Sequence, residues 1–251
     1  MTPFLAAAAA AAAAAGIAWT SDIDAAFRAA TERHVPVVVD VWAVWCVPCK
    51  KMDDETYVDP RVVEAARGLV PLKVDADAQP IFIERYAVQA YPEVLFLDED
   101  GRELGRLTGF QDADGLLPAL ERAAGGYASY RAWMEEKEDP ETLLAVGEYF
   151  AALGNRGRAA KPLQAAAKRL RDDPGSLSEP ARMRLGMALV AVDEGKDGAA
   201  VLFALSQDGS SRDLQGDALE ALAELDSVRG AKELSRAAEE RLAREFPDRA
   251  K

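Results

Sequence analysis

Val38-Val39-Asp40-Val41-Trp42-Ala43-Val44-Trp45-Cys46-Val47-Pro48-Cys49-Lys50 is the stretch on which the reading of this chain turns. With Pro36 and Val37 before it, the first part is a β-branched run, apolar on both faces except at Asp40. That is the pattern of a central strand buried on both sides. A few residues later Cys46 stands where the chain turns into a helix-compatible segment. A sulfur there faces the unpaired N–H groups of a first helical turn, which favour a thiolate over a thiol. Pro48 suits that turn because the N–H it lacks would be unpaired anyway. Cys49, three residues on, comes round to the same side within disulfide reach. The alternatives are a structural disulfide or half of a zinc site. These are the only two cysteines in 251 residues, and His34 is the only histidine. A closed zinc site therefore lacks ligands and a disulfide scaffold lacks pairs, so redox chemistry is the favoured reading and no metal is expected.

Working outward, Thr20, Ser21 and Asp22 are candidate caps for a helix carrying Ile23, Ala26, Phe27 and Ala30 at helical spacing. After Cys49, residues 50–57 are polar and helix-compatible. Asp59-Pro60 then opens a second helix with Val62, Val63 and Ala66. Residues 69–75 read as a strand, 79–86 as a short helix and 92–97 as a third strand. Glu99-Asp100-Gly101 signals a hairpin turn into a return strand over 102–107. Leu116, Leu117, Leu120 and Ala124 close the unit with an amphipathic helix. The order β-α-β-α-β-α-β-β-α implies a mixed sheet with helices on both faces.

The segment from Val38 to Lys50 resembles the active-site segment of the thioredoxin family, and the order of elements agrees over residues 17–124. The resemblance implies an α/β thioredoxin fold and a thiol–disulfide oxidoreductase. In that family Cys46 matches the exposed attacking cysteine and Cys49 the resolving one. Asp40 matches a buried acid that handles the resolving proton, and Lys73 the lysine paired with it. Pro92 matches the cis-proline facing the disulfide. Tyr91 before it offers backbone groups to an extended substrate, Gly109 lies near the substrate groove and Trp45 flanks the attacking cysteine. Two departures stand out. Val-Pro, not Gly-Pro, spans the cysteines, and the segment after them lacks the proline that kinks the long active-site helix of thioredoxin. In this the chain is more similar to the C-terminal thioredoxin-like domain of the disulfide reductase DsbD and its soluble relatives, many of which work outside the cytoplasm. The resemblance implies protein dithiols and disulfides as partners, an electron-donor protein, and no cofactor beyond the Cys46–Cys49 disulfide. His34 is expected to be a surface or loop residue.

Residues 127–251 carry no strand signal. They alternate Ala/Leu-rich helical stretches with Gly, Asp and Pro breaks. Asp139-Pro140 and Asp173-Pro174 lie 34 residues apart (174 − 140), which is the tetratricopeptide period, and between them two helices would join at Gly154-Asn155. Tetratricopeptide-like hairpins, with Gly147, Ala151 and Ala160 allowing close approach and Tyr149, Phe150 and Leu163 filling the seam, are set against a plain helical bundle. Weaker copies would break near Glu194-Gly195 and Gly230. At the start, ten consecutive alanines (6–15) within residues 1–16 read as a cleaved secretory signal, implying a periplasmic or secreted protein, or as an alanine-rich tail on a cytoplasmic one. The net charge of −13 argues against nucleic acid and anionic membrane surfaces as partners. A function of another class stands beside the enzyme: an interaction scaffold carrying a redox-responsive or vestigial thioredoxin module.

Overall fold

The computed structural model describes residues 16–225, 228 and 231–249. These divide into two compact units. One runs to Ala128 and takes in Ala152–Asn155; the other comprises Ser129–Ala151 and the residues from Arg156 onward.

In the first unit, helix α1 (Ile23–Arg33) precedes strand β1 (Val37–Trp42). Of its candidate caps, Asp22 takes the position, its side chain accepting from the Ala25 N–H at 2.9 Å. His34 ends the helix, exposed and in left-handed backbone conformation. Helix α2 (Val47–Lys51) continues without a break into a π-helical turn, Met52–Thr56. Helix α3 (Pro60–Ala66), capped by Asp59, leads to β2 (Val70–Asp75). Then come α4 (Pro80–Arg85), β3 (Glu93–Leu97), β4 (Glu103–Thr108) and α5 (Ala113–Gly125).

The sheet order is β2-β1-β3-β4, with β1 parallel to β2 and antiparallel to β3. β1 is thus an inner strand, and all its residues but Trp42 are buried. The segment before α1 contributes only a bridge between Thr20 and Leu72, so the first β of the expected order is a single pairing rather than a strand. The alternation of β1 puts Val37, Val39 and Val41 into a core with Ala26, Ala30, Phe82 and the two cysteines. Asp40 points the other way. At the β3–β4 hairpin, the Asp98 side chain accepts from the N–H groups of Asp100 and Arg102, and Gly101 supplies the positive φ.

The second unit is helical. Helix α6 (Tyr127–Met134) begins at the boundary and is followed by three pairs: α7 (Pro140–Ala152) with α8 (Arg156–Asp172), α9 (Glu179–Ala191) with α10 (Gly195–Asp208), and α11 (Arg212–Ala223) with α12 (Lys232–Glu245). The breaks fall where expected at Gly154-Asn155 and Glu194-Gly195; Gly230 lies outside the described residues. The 34-residue spacing does not mark the repeat. Asp139 caps α7 through Thr142, but Asp173-Pro174 lies in the turn after α8, and Ser178 caps α9 instead. The first two pairs instead correspond at an offset of 39 residues (186 − 147, 202 − 163, 193 − 154). Gly147 lies against Leu163 and Gly186 against Leu202, and each turn carries a positive φ, at Gly154 and Asp193. Each contact straddles its turn, so the two helices of a pair run back along one another. A Cβ at Gly147 would lie 2.3 Å from Leu163 Cγ, and one at Gly186 2.6 Å from Leu202 Cγ. Tyr149 and Phe150 join Tyr130 and Trp133 in an aromatic cluster.

Candidate active site around the Cys46–Cys49 disulfide

Cys46 and Cys49 are joined as a disulfide, their Cα atoms 5.3 Å apart. Cys46 is the N-cap of α2, and its Sγ accepts from the Cys49 N–H at 3.2 Å. This capping contact is the one expected from a sulfur at a helix start. One expectation needs correction: Cys46 is only 3% exposed and Cys49 2%. The capping sulfur folds inward onto its own helix, leaving its neighbours to face outward. Val44, Trp45 and Val47, which flank Cys46 in the chain, are all exposed, Val47 to 74%.

The groove residues gather around Trp45. The Trp45 indole N–H donates to Asp77 Oδ2 at 3.1 Å, and its ring meets that of Tyr91 edge-on at 5.6 Å. The Tyr91–Pro92 peptide is cis. Gly109, with φ of 85°, donates its N–H to the Pro92 carbonyl at 2.8 Å. Trp45, Tyr91, Pro92 and Gly109, scattered over more than sixty positions, are therefore linked into one corner that adjoins Cys46 through Trp45. Sequence reasoning missed Asp77, which fixes Trp45, and Glu93. Glu93 is buried directly after Pro92, where it accepts from Thr108 Oγ1 at 2.8 Å and pairs with Arg106 at 3.2 Å. It ties the strand after the cis peptide to the strand before Gly109.

On the other face of β1, Asp40 is 1% exposed. The Tyr57 hydroxyl donates to its Oδ1 at 2.9 Å. Lys73, its register partner on β2, places Nζ 3.1 Å from Oδ2, an ion pair in which that oxygen has no well-aligned hydrogen bond. Lys73 also pairs with Asp53. Burial pushes the Asp40 carboxyl above the ordinary carboxylate range, and Lys73 and Tyr57 pull it down without cancelling the rise. Burial and the adjacent Asp40 hold the Tyr57 hydroxyl well above its usual titration. The Asp40–Lys73 pair was legible in the sequence. Tyr57 and Asp53 were not, because the π-helical turn sets their direction: its i→i+5 bond from the Tyr57 N–H to the Met52 carbonyl shifts the register that an α-helix would give. A buried acid beside a lysine, in the strand that leads into a disulfide at a helix start, can hold and release one proton. Among the described residues no cluster of His, Cys, Asp and Glu could hold a metal ion.

Residues 23–124 match the family model for a thioredoxin-like domain, so this part of the chain is a thioredoxin-like domain. Within that class the similarity is to DsbD. The thiol:disulfide interchange protein DsbD of Ralstonia nicotianae is 36% identical over 110 residues, 42% of this chain but 18% of that protein. The Escherichia coli protein of the same name is 38% identical over 85 residues, 32% of this chain and 15% of that one. This chain thus spans less than a fifth of the length of these curated relatives. Among solved structures, the oxidised C-terminal domain of Neisseria meningitidis DsbD is 28% identical, covering 42% of this chain and 99% of that one, with a TM-score of 0.38. A putative disulphide-isomerase from Bacteroides thetaiotaomicron is 31% identical, covering 44% and 94%, with a TM-score of 0.40.

Proposed function

We propose that this protein is a thiol–disulfide oxidoreductase that reduces or exchanges disulfides of other proteins. The observation that carries the reading is the Cys46–Cys49 disulfide at the start of α2, beside the corner formed by Trp45, Tyr91, Pro92 and Gly109. In the reduced protein the Cys46 thiolate attacks one sulfur of a substrate disulfide. A Cys46–substrate bond forms, the substrate S–S bond breaks, and the departing sulfur leaves as a thiolate that takes up a proton. Cys49 then gives its proton to Asp40 and attacks Cys46 Sγ. The second substrate sulfur leaves, and Cys46–Cys49 closes. Two electrons pass to the substrate, and a donor protein must return two to this pair. A carboxyl titrating above its usual range is a better match for a thiol proton than an ordinary one, and Lys73 steadies its charged form. Trp45, Tyr91, Pro92 and Gly109 bind the substrate chain. The helical unit, which this chemistry does not require, recruits the partner. The resemblance to DsbD and the alanine-rich start support action outside the cytoplasm.

The test is trapping. With a disulfide-bonded substrate such as insulin, Cys49→Ser accumulates a mixed disulfide and Cys46→Ser does not, while the wild type turns over with dithiothreitol. Labelling of Cys49 before Cys46 by an alkylating reagent at mildly acidic pH would overturn the assignment of the nucleophile.

A further inference from the structure

Trp19 belongs to the stretch before α1, well outside the Cys-x-x-Cys segment. Three backbone bonds hold that stretch in place, two of them along the free edge of β2. Ile17 N–H donates to the Tyr57 carbonyl at 3.0 Å, Thr20 N–H to the Pro71 carbonyl at 3.1 Å, and Lys73 N–H to the Thr20 carbonyl at 2.8 Å. The strap brackets Leu72, next to Lys73, and sets the Trp19 ring edge-on to Tyr57, centroids 5.0 Å apart. Around the Lys73 ammonium stand three rings: Trp42 at 5.3 Å, Tyr57 at 5.6 Å and Trp19 at 6.0 Å. Its side chain is 18% exposed, and that of its partner Asp40 is 2%. A cleft of about 400 Å³, lined by Trp19, Trp42, Lys73, Ser21 and Gln79 among others, lies on this side.

We propose that Trp19 is a positioning residue: beside Lys73 it shuts Asp40 off from the water of that cleft, and it braces the Tyr57 ring whose hydroxyl holds Asp40. The proton chemistry of the site is then governed partly from the N-terminal strap. The consequence for turnover rests on the proposed role of Asp40; the geometric claim does not.

Opening the site would act on Asp40 in two opposed ways. Water would relieve the burial of its charged form, lowering its titration, and would screen Lys73, raising it. Burial is the larger influence, so the net movement is downward. The charged and titratable groups around Asp40 are Lys73 from β2 and Tyr57 and Asp53 from the π-helical turn; β3 presents Val94. Trp19 substitution changes the identity of none of these.

The experiment follows the Asp40 carboxyl by carbon-13 NMR in the oxidised full chain across pH. Trp19→Ala is expected to shift its midpoint to lower pH, Trp19→Leu to shift it less, and Trp19→Phe, which keeps a ring against Tyr57, to stay near wild type. An unmoved midpoint in Trp19→Ala overturns the proposal. Should that variant fail to fold, an unmoved midpoint in Trp19→Leu does so instead. Insulin turnover against pH, with Asp40→Asn beside it, separates the two claims. If the carboxyl midpoint moves while neither variant alters the pH–rate profile, the role of Trp19 stands and proton transfer by Asp40 falls.

Discussion

At Asp40, one carboxyl group carries both a stability signature and a chemical one. Its folded-state titration lies above that of an unfolded carboxyl, so the folded state favours the protonated form. That contribution is whole below the ordinary carboxyl pKa of about 3.9 and is lost as pH rises through the folded value. Over that window it weakens stability by up to ~1.4 kcal/mol per pH unit for one proton. Asp40→Asn removes the loss while Lys73 keeps Asp53 as partner. Relative to wild type, the variant should therefore gain stability as pH rises from about 4 towards neutral. Urea unfolding at a series of pH values checks this; a difference that stays flat with pH would show that Asp40 is not buried as described. Asp40 was legible because a carboxylate in an apolar strand stands out and demands a partner, and Lys73 was named as that partner by the family resemblance. Their neighbours Tyr57 and Trp19 carry no local signal, since what sets them apart is direction in space.

The helix pairs of the second unit owe their fit to single small residues. Gly147 lets Leu163 lie against the backbone of α7, as Gly186 does for Leu202. Gly147→Ala gains about 1 kcal/mol of helix propensity, yet its Cβ would overlap the Leu163 side chain, at about 1–3 kcal/mol. A net destabilisation is expected, and Leu163→Val introduced alongside should restore part of it. Denaturant midpoints of the two single variants and the double variant measure the coupling. Additive effects would mean that the two residues do not meet. The Asp-Pro spacing misled about the repeat because Asp-Pro serves two local purposes, capping a helix at Asp139 and breaking the chain at Asp173. Period is a property of the packed pair, and it emerges at 39 residues through Gly147 and Gly186.

For the whole molecule, the division into two units means that unfolding should depart from a single two-state transition. The disulfide lies wholly in the first. Reducing it should lower the transition of the thioredoxin-like unit and leave that of the helical unit in place. Calorimetry with and without dithiothreitol tests this directly; a helical transition that moves by the same amount would show the two units unfolding as one.

The sequence by itself determined the class of the first unit. β-branched runs, turn residues and helical spacing are local, and the Cys-x-x-Cys at a strand-to-helix passage carries its chemistry in four consecutive residues. It also named Asp40, Lys73, Trp45, Tyr91, Pro92 and Gly109, through a family resemblance that already contains a fold. Only the tertiary structure decided that both sulfurs are covered in the oxidised state, because that depends on which way a capping side chain turns. It alone brought Trp19, Tyr57 and Asp53 to the Asp40–Lys73 pair and Glu93 beneath the cis-proline corner. Those contacts join residues far apart in the chain, or turn on one π-helical bond that shifts every later side chain, and no local pattern of residue types encodes either.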